Sequence, residues 1–212
     1  FGFRINGQDK VTYKGYKGGI RNLGLKTLEY VAKTPESEIR GVASRLKLVD
    51  GEDEVPQNNL KKYRPLLSAV GAAHLGKSHF KWRHLVTLLS GHEGEDFFLF
   101  NKMDHLVNGV QNLLYGGCSY AYVIDMDKKR IEFLEPFTAF HDFGRYSKPN
   151  DRFNPASQSY QRTGLVLVQD FSFAEVIDPK NKFEDLVACV EERSRLFLDI
   201  HRFNNNMKNV IL

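Results

Sequence analysis

Cysteine is scarce in this chain: Cys118 and Cys189 are the only two among 212 residues. Two thiols make neither a disulfide framework nor a cysteine metal cluster, and they fit a reducing, intracellular setting in which both are mostly buried. Long apolar runs are lacking too. No stretch approaches the ~20 residues that a bilayer-spanning helix requires, so no membrane partner is expected. The opening residues FGFRINGQDK turn polar by Asn6 and hold no apolar core of a secretory signal. No internal repeat is visible, which sets aside solenoid and propeller architectures. Acid is missing from one long stretch: no Asp or Glu occurs between Val55 and His92, while Lys61, Lys62, Arg64, Lys77, Lys81 and Arg83 all fall there. Such a stretch attracts anions, nucleic acid among them.

What is present suffices for a folded core. Hydrophobic residues make up 42% and aromatics 12% of the chain, and 26% charged residues are too few for a disordered polyelectrolyte. The net charge of +4 is uneven: residues 1–106 hold 17 Lys and Arg against 12 acids, residues 107–212 hold 13 against 14. The length predicts a single domain, 1–212, with room for an inserted subdomain.

Local patterns predict the elements. FGFRI and KVTYKGY flank Asn6-Gly7, a strong hairpin signal. A helix is predicted from about Asn22 to Lys33. A second follows TPESEI, with Thr34 as cap, Pro35 at the first helical position, and Ile39, Val42, Ala43 and Leu46 as its apolar stripe. DGEDEVPQN reads as a solvated break and a nicking site. Further helices are predicted at Gln57–Val70, where Pro65 should kink or end the helix, at His79–Leu89, and at Met103–Leu114. After Gly116-Gly117 the period becomes two: CSYAYVIDMDKKRIEFL reads strand, turn, strand. Residues 141–164 read as a long polar loop, and LVLVQDFSF as a strand with a buried opening run. A final helix starts at a capping box formed by Asn181 and Glu184 and ends near Phe203, with Phe183, Leu186, Val187, Val190, Phe197 and Ile200 facing inward.

Three patterns bear on chemistry. GAAHLGKS spells a phosphate-binding loop through Gly71, Gly76, Lys77 and Ser78, and Asp125 at the end of an apolar strand would supply the magnesium-holding acid. That reading makes the chain a nucleotide-binding protein. It requires a buried strand before Gly71, where the sequence offers the helix-like, proline-containing KKYRPLLSAV. Second, HFKWRH interleaves Phe80 and Trp82 with Lys81 and Arg83. Together with Lys61, Lys62 and Arg64 it forms a basic 61–84 face that could hold RNA or DNA, phosphates on the cations and bases on Trp82. At helical spacing the same residues read as an apolar side facing a core and a charged side facing water. Third, five of the seven histidines fall between His74 and His105 without metal-ligand spacing, so no metal and no cofactor are expected. Cys118 with His141 is the nearest thiol–base pair, against the simpler reading of an inert buried cysteine. No catalytic residue is assigned.

GFRINGQDKVTY, Leu23-Gly24, Trp82 ahead of LVTLLSG, CSYAYVIDMD with IEF behind it, GRY at 144–146 and LVLVQDF occur in this order. The set resembles a family of uncharacterised small proteins of bacteria, their phages and some fungi. The resemblance spans most of the chain thinly and implies no activity. In that family KVTY precedes a polar set with Asn, His and Asp and then Tyr-Pro. Here the positions read Lys14-Gly15-Tyr16-Lys17-Gly18, so a site built on that set would be lost.

The expected fold is α+β: a mainly antiparallel sheet with an inserted helical block at about 22–114 and a C-terminal covering helix. The expected function is that of a non-catalytic interaction or structural protein, a subunit of a larger assembly that needs a protein partner. Nucleotide binding at 71–78 and nucleic-acid binding by the 61–84 face are the alternatives.

Overall fold

A computed structural model of the chain describes residues 1–13, 18–69, 71, 80–90, 97, 100–110, 118–139, 144–154 and 159–210. The fold is α+β, built on a mixed, mainly antiparallel sheet. Its strands are β1 (Gly2–Ile5), β2 (Gln8–Val11), β5 (Ala121–Asp125), β6 (Arg130–Ala139), β7 (Lys148–Asn154) and β8 (Ser159–Ser172), in the order β2-β1-β5-β6-β8-β7. Within this sheet, among the described residues, only β1 and β5 pair in parallel. The hairpin forms as its turn dictates: Asn6 and Gly7 both have positive φ, 52° and 74°, as a tight two-residue turn requires. The Asp127 carboxylate accepts both turn N–H groups at 2.7 and 2.8 Å, tying the first hairpin to the second.

Helices cover one face of the sheet. A π-helical turn (Ile20–Gly24) leads into α1 (Leu25–Lys33), and α2 (Glu36–Arg45) follows. Gly24 lies flat on the sheet; a Cβ there would sit 3.1 Å from the rings of Tyr122 and Phe133. The α2 start differs from expectation by one residue. Pro35, not Thr34, occupies the cap position, and Thr34 closes α1 in extended geometry. At the other end of α2 the Lys10 ammonium donates to the carbonyls of Ala43 and Ser44, a cation at the negative helix end. Phe3, Tyr122, Ile131 and Phe133 from the strands meet Leu28, Val31, Ile39 and Val42 from the helices in the main core. Each fully buried side chain of this size contributes about 1.5–3 kcal/mol.

A second core lies in the inserted part of the chain. It joins α3 (Gln57–Ala69), α4 (Trp82–Ser90) and a parallel pair, β3 (Lys47–Val49) with β4 (His105–Val107). Of the predicted 22–114 block, α1 and α2 therefore belong to the main core, and the second core begins with the β3 region. The predicted helix at Met103–Leu114 is overturned at its start: residues 105–107 are strand. Leu106 is fully buried and pairs with Leu48, so tertiary pairing overrides a helix-like spacing. Pro65 does not end α3, since Leu67 beyond it is anchored in the second core. The acidic break is tied down as well: Gly51 and Asp53 accept the N–H groups of Arg83 and Trp82, and Val55 donates to Phe80.

Two further expectations are corrected near the C-terminus. The supposed polar loop contains β7 and the first part of β8. The opening run of LVLVQDF is only partly buried: Leu165 lies in a cluster with Tyr146, while Leu167 is 45% exposed. The capping box is present, but it sits at Ser172 and Glu175 ahead of a short helix α5 (Phe173–Ile177). Asn181 instead donates to the carbonyl of Glu175. The covering helix α6 (Phe183–Val210) runs past Phe203, because the three asparagines cost only about 0.7 kcal/mol each relative to alanine. Val187 and Val190 are buried; Phe197 is half-buried and meets Phe137 at 5.0 Å. Phe197→Ala should accordingly cost about 1–2 kcal/mol, less than a fully buried ring would, checked by the denaturation midpoint. The side chain of Ile200 lies outside the described residues. Among the described residues no helix is long and apolar enough to cross a membrane.

Candidate functional site

The residues of the phosphate-loop spelling divide. Residues 66–69, where a feeding strand would be needed, are the last turn of α3. Gly71 follows in a turn with φ +71°, its N–H donating to Ser68. Gly76, Lys77 and Ser78 lie outside the described residues. Asp125 belongs to a different constellation on the second face of the sheet. It is fully buried, one carboxylate oxygen accepts the N–H groups of Asp127 and Lys128 at 3.0 Å, and the other has no hydrogen-bond partner.

That constellation was not legible as a set. Arg145 and Tyr146, from the turn before β7, reach across the sheet toward Asp9 on β2, Asp125 on β5 and Glu132 on β6. The Arg145 guanidinium clamps Glu132 with both terminal nitrogens, donates to the Tyr146 hydroxyl at 2.9 Å, and stands 3.7 Å from Asp125. Tyr146 donates to Asp9 at 2.8 Å, and Arg4 holds the other Asp9 oxygen at 2.9 Å. Burial pushes the Glu132 carboxyl above its usual range although Arg145 pulls the other way. Burial works against the Arg145 charge, but Tyr146 and Glu132 more than offset it and hold its pKa above the ordinary value. The chemistry is that of a clasp. Three carboxylates and two guanidiniums bond one loop to three strands.

The basic face also divides. Trp82 is 3% exposed and stacks on His105 at 4.6 Å, inside the second core, so its indole offers no surface platform for a base. Lys81 and Arg83 both bond the Glu52 carboxylate. Lys62 pairs with Asp104, while Lys61 and Arg64 are exposed on α3. His105 is bonded to the Tyr63 hydroxyl at 2.9 Å, and burial lowers its pKa. Among the described residues no group of three or more His, Cys, Asp or Glu is arranged to hold a metal ion. Burial raises the Cys118 thiol, away from the reactive thiolate; His141, its proposed base, lies outside the described residues.

A cleft of about 370 Å³ lies between the π-helical turn and α6. Ile20, Arg21, Tyr120, Glu191, Arg195 and Leu198 line it. Its mouth is braced by Arg21, which grips Glu191 bidentately at 2.6 and 2.7 Å. Its floor is braced by Ser194, whose hydroxyl donates to the Glu135 carboxylate; burial raises the Glu135 pKa. Beside the cleft, Leu196 and Leu198 are 56% and 44% exposed, on either side of the inward Phe197. Comparison of the chain with protein-family models, with curated proteins and with solved structures finds no match.

Proposed function

We propose that this chain is a non-catalytic interaction protein, a subunit of a larger intracellular assembly, and that α6 is the surface on which its protein partner sits. The observation that carries the reading is that Leu198, 44% exposed, continues the Val187–Val190 side of α6 past the main core and lines the cleft, while Leu196 stands 56% exposed on the other side of the helix. A helix that closes a core needs one apolar stripe; apolar side chains beyond that stripe are available to a second surface. The adjoining cleft adds depth into which a partner's anchoring side chain can fit. The bracing ion pair Arg21–Glu191 supplies the polar rim that such interfaces carry.

The test is the mass of the protein isolated from its native source, read by light scattering. The wild-type chain should run in a complex well above its own 24.4 kDa. The double variant Leu196→Asp, Leu198→Asp should run as the single chain. Its melting midpoint should move by no more than about 2 °C, because substitutions at exposed positions cost little. A wild-type protein that runs alone, or a variant that keeps the complex, would sink the proposal.

A further inference from the structure

The basic run that is continuous in sequence is split in space, and one half gains cations from elsewhere. The α4 half is reduced to an excess of one charge, since Lys81 and Arg83 share the Glu52 carboxylate. The α3 half is not. Lys61 and Arg64 are exposed, and neither forms an ion pair among the described residues. The chain end of α2 and strand β3 bring Arg45 and Lys47 to the same neighbourhood. Arg45 stands 3.7 Å from Asp104, the same carboxylate that Lys62 bonds, and Lys47 pairs in register with His105 beside it. Arg45 and Lys62 thus share one acid, Asp104, with Lys47 beside His105, while Lys61 and Arg64 stand exposed on α3. We infer that Arg45, Lys47, Lys61, Lys62 and Arg64 form a binding surface for the phosphate backbone of double-stranded nucleic acid, independent of base sequence.

Two observations select this occupant. The aromatic rings behind the surface, Tyr63 and Trp82, are 0% and 3% exposed, so no ring stands ready to stack an unpaired base. What the surface offers is charge alone, which suits a regular array of phosphates. A lipid surface is engaged by cations together with inserted apolar side chains. The exposed large hydrophobics among the described residues are Tyr13, Leu167, Ile177, Leu196 and Leu198, none of them on α2, α3, β3 or β4. This surface is separate from the α6 face and does not depend on it.

The experiment is fluorescence anisotropy with a labelled mixed-sequence DNA duplex, titrated at several salt concentrations. The wild-type protein should bind with a Kd on the order of 10⁻⁵ M at moderate salt, and log affinity should fall against log salt with a slope of about −4. The decisive variant is Lys47→Gln, Lys61→Gln, Arg64→Gln, which touches no ion pair among the described residues and should leave the melting midpoint in place. It should weaken binding by at least about tenfold and flatten the slope by about 3. Lys81→Gln with Arg83→Gln should weaken binding by no more than about threefold, less than the triple variant, since Glu52 already offsets one of the two charges. Unchanged binding by the triple variant overturns the inference. So does absence of duplex binding at low salt, tighter binding of the matching single strand, or binding to phosphatidylserine vesicles without binding to the duplex.

Discussion

Gly164→Ala should be among the most damaging single substitutions in this protein, lowering stability by roughly 3–5 kcal/mol through overpacking and backbone strain together. Gly164 lies on β8 opposite Phe137, with φ +154°, a conformation that side-chain-bearing residues rarely adopt. A Cβ there would stand 1.7 Å from the carbonyl oxygen of Tyr146 and 2.7 Å from its carbonyl carbon. The obstruction is backbone, so no rotamer change can relieve it. Either β8 leaves its register with β6 or the turn carrying Arg145 and Tyr146 lifts from the sheet. The second route breaks the Tyr146–Asp9 bond and loosens the clamp on Glu132. The measurement is the thermal midpoint, expected to fall by about 10 °C for a chain of this size, together with near-ultraviolet circular dichroism of the buried tyrosine. A midpoint within a degree or so of wild type would refute the close approach.

Arg145→Met should cost about 3–5 kcal/mol at neutral pH, the loss seen when one partner of a buried ion pair is removed and the other stays. Methionine keeps the length of the stem, so the loss reports charge rather than volume. Without the guanidinium, Asp125 at 0% exposure and Glu132 at 3% exposure face each other with no compensating cation in the clasp other than Arg4. The deficit should depend on pH with a definite sign. The Glu132 carboxyl is already raised above its ordinary 4.5 in the folded protein, with burial the larger cause. The folded state therefore holds more protons than the unfolded state above that pH. The contribution of Glu132 to stability is largest below 4.5 and falls as pH rises through the folded value. Removing Arg145 raises that folded value further and extends the window upward. Urea midpoints should show a larger deficit at about pH 8 than at about pH 5. Equal deficits at both would mean that the clasp holds by packing and not by charge.

The sequence was legible where structure depends on near neighbours. Asn6-Gly7 announces its turn because two positive φ values are cheap there and costly elsewhere. Ile39, Val42 and Ala43 announce a buried helix face because 3.6 residues per turn bring them together before any tertiary contact forms. The same holds for the strand–turn–strand of residues 119–134, and these local rules were enough for the α+β class. They failed where a distant segment supplied the partner. His105–Val107 carries a helical spacing but becomes a strand, because β3 offers a pairing surface. Ser172 and Asn181 both stand three residues before a glutamate, and only the chain direction after β8 decides which forms the box.

The candidate surfaces follow the same division. The run of cations without acids from Val55 to His92 was visible in composition alone, as was the amphipathic final helix. Which of those cations are neutralised was not. Glu52 lies in a separate acidic stretch, and Arg45 and Lys47 precede the run altogether. Glu132, set between Ile131 and Phe133, reads as an outward polar position on a one-sided sheet; it is buried because this sheet is covered on both faces at that point. Its partner Arg145 lies in the turn before β7. Sequence alone determined turns, periodicities and net charge, because each is a sum over neighbouring residues. Tertiary structure decided the pairing of charges and the identity of the clasp, because Coulomb and desolvation energies depend on distance in space and on burial.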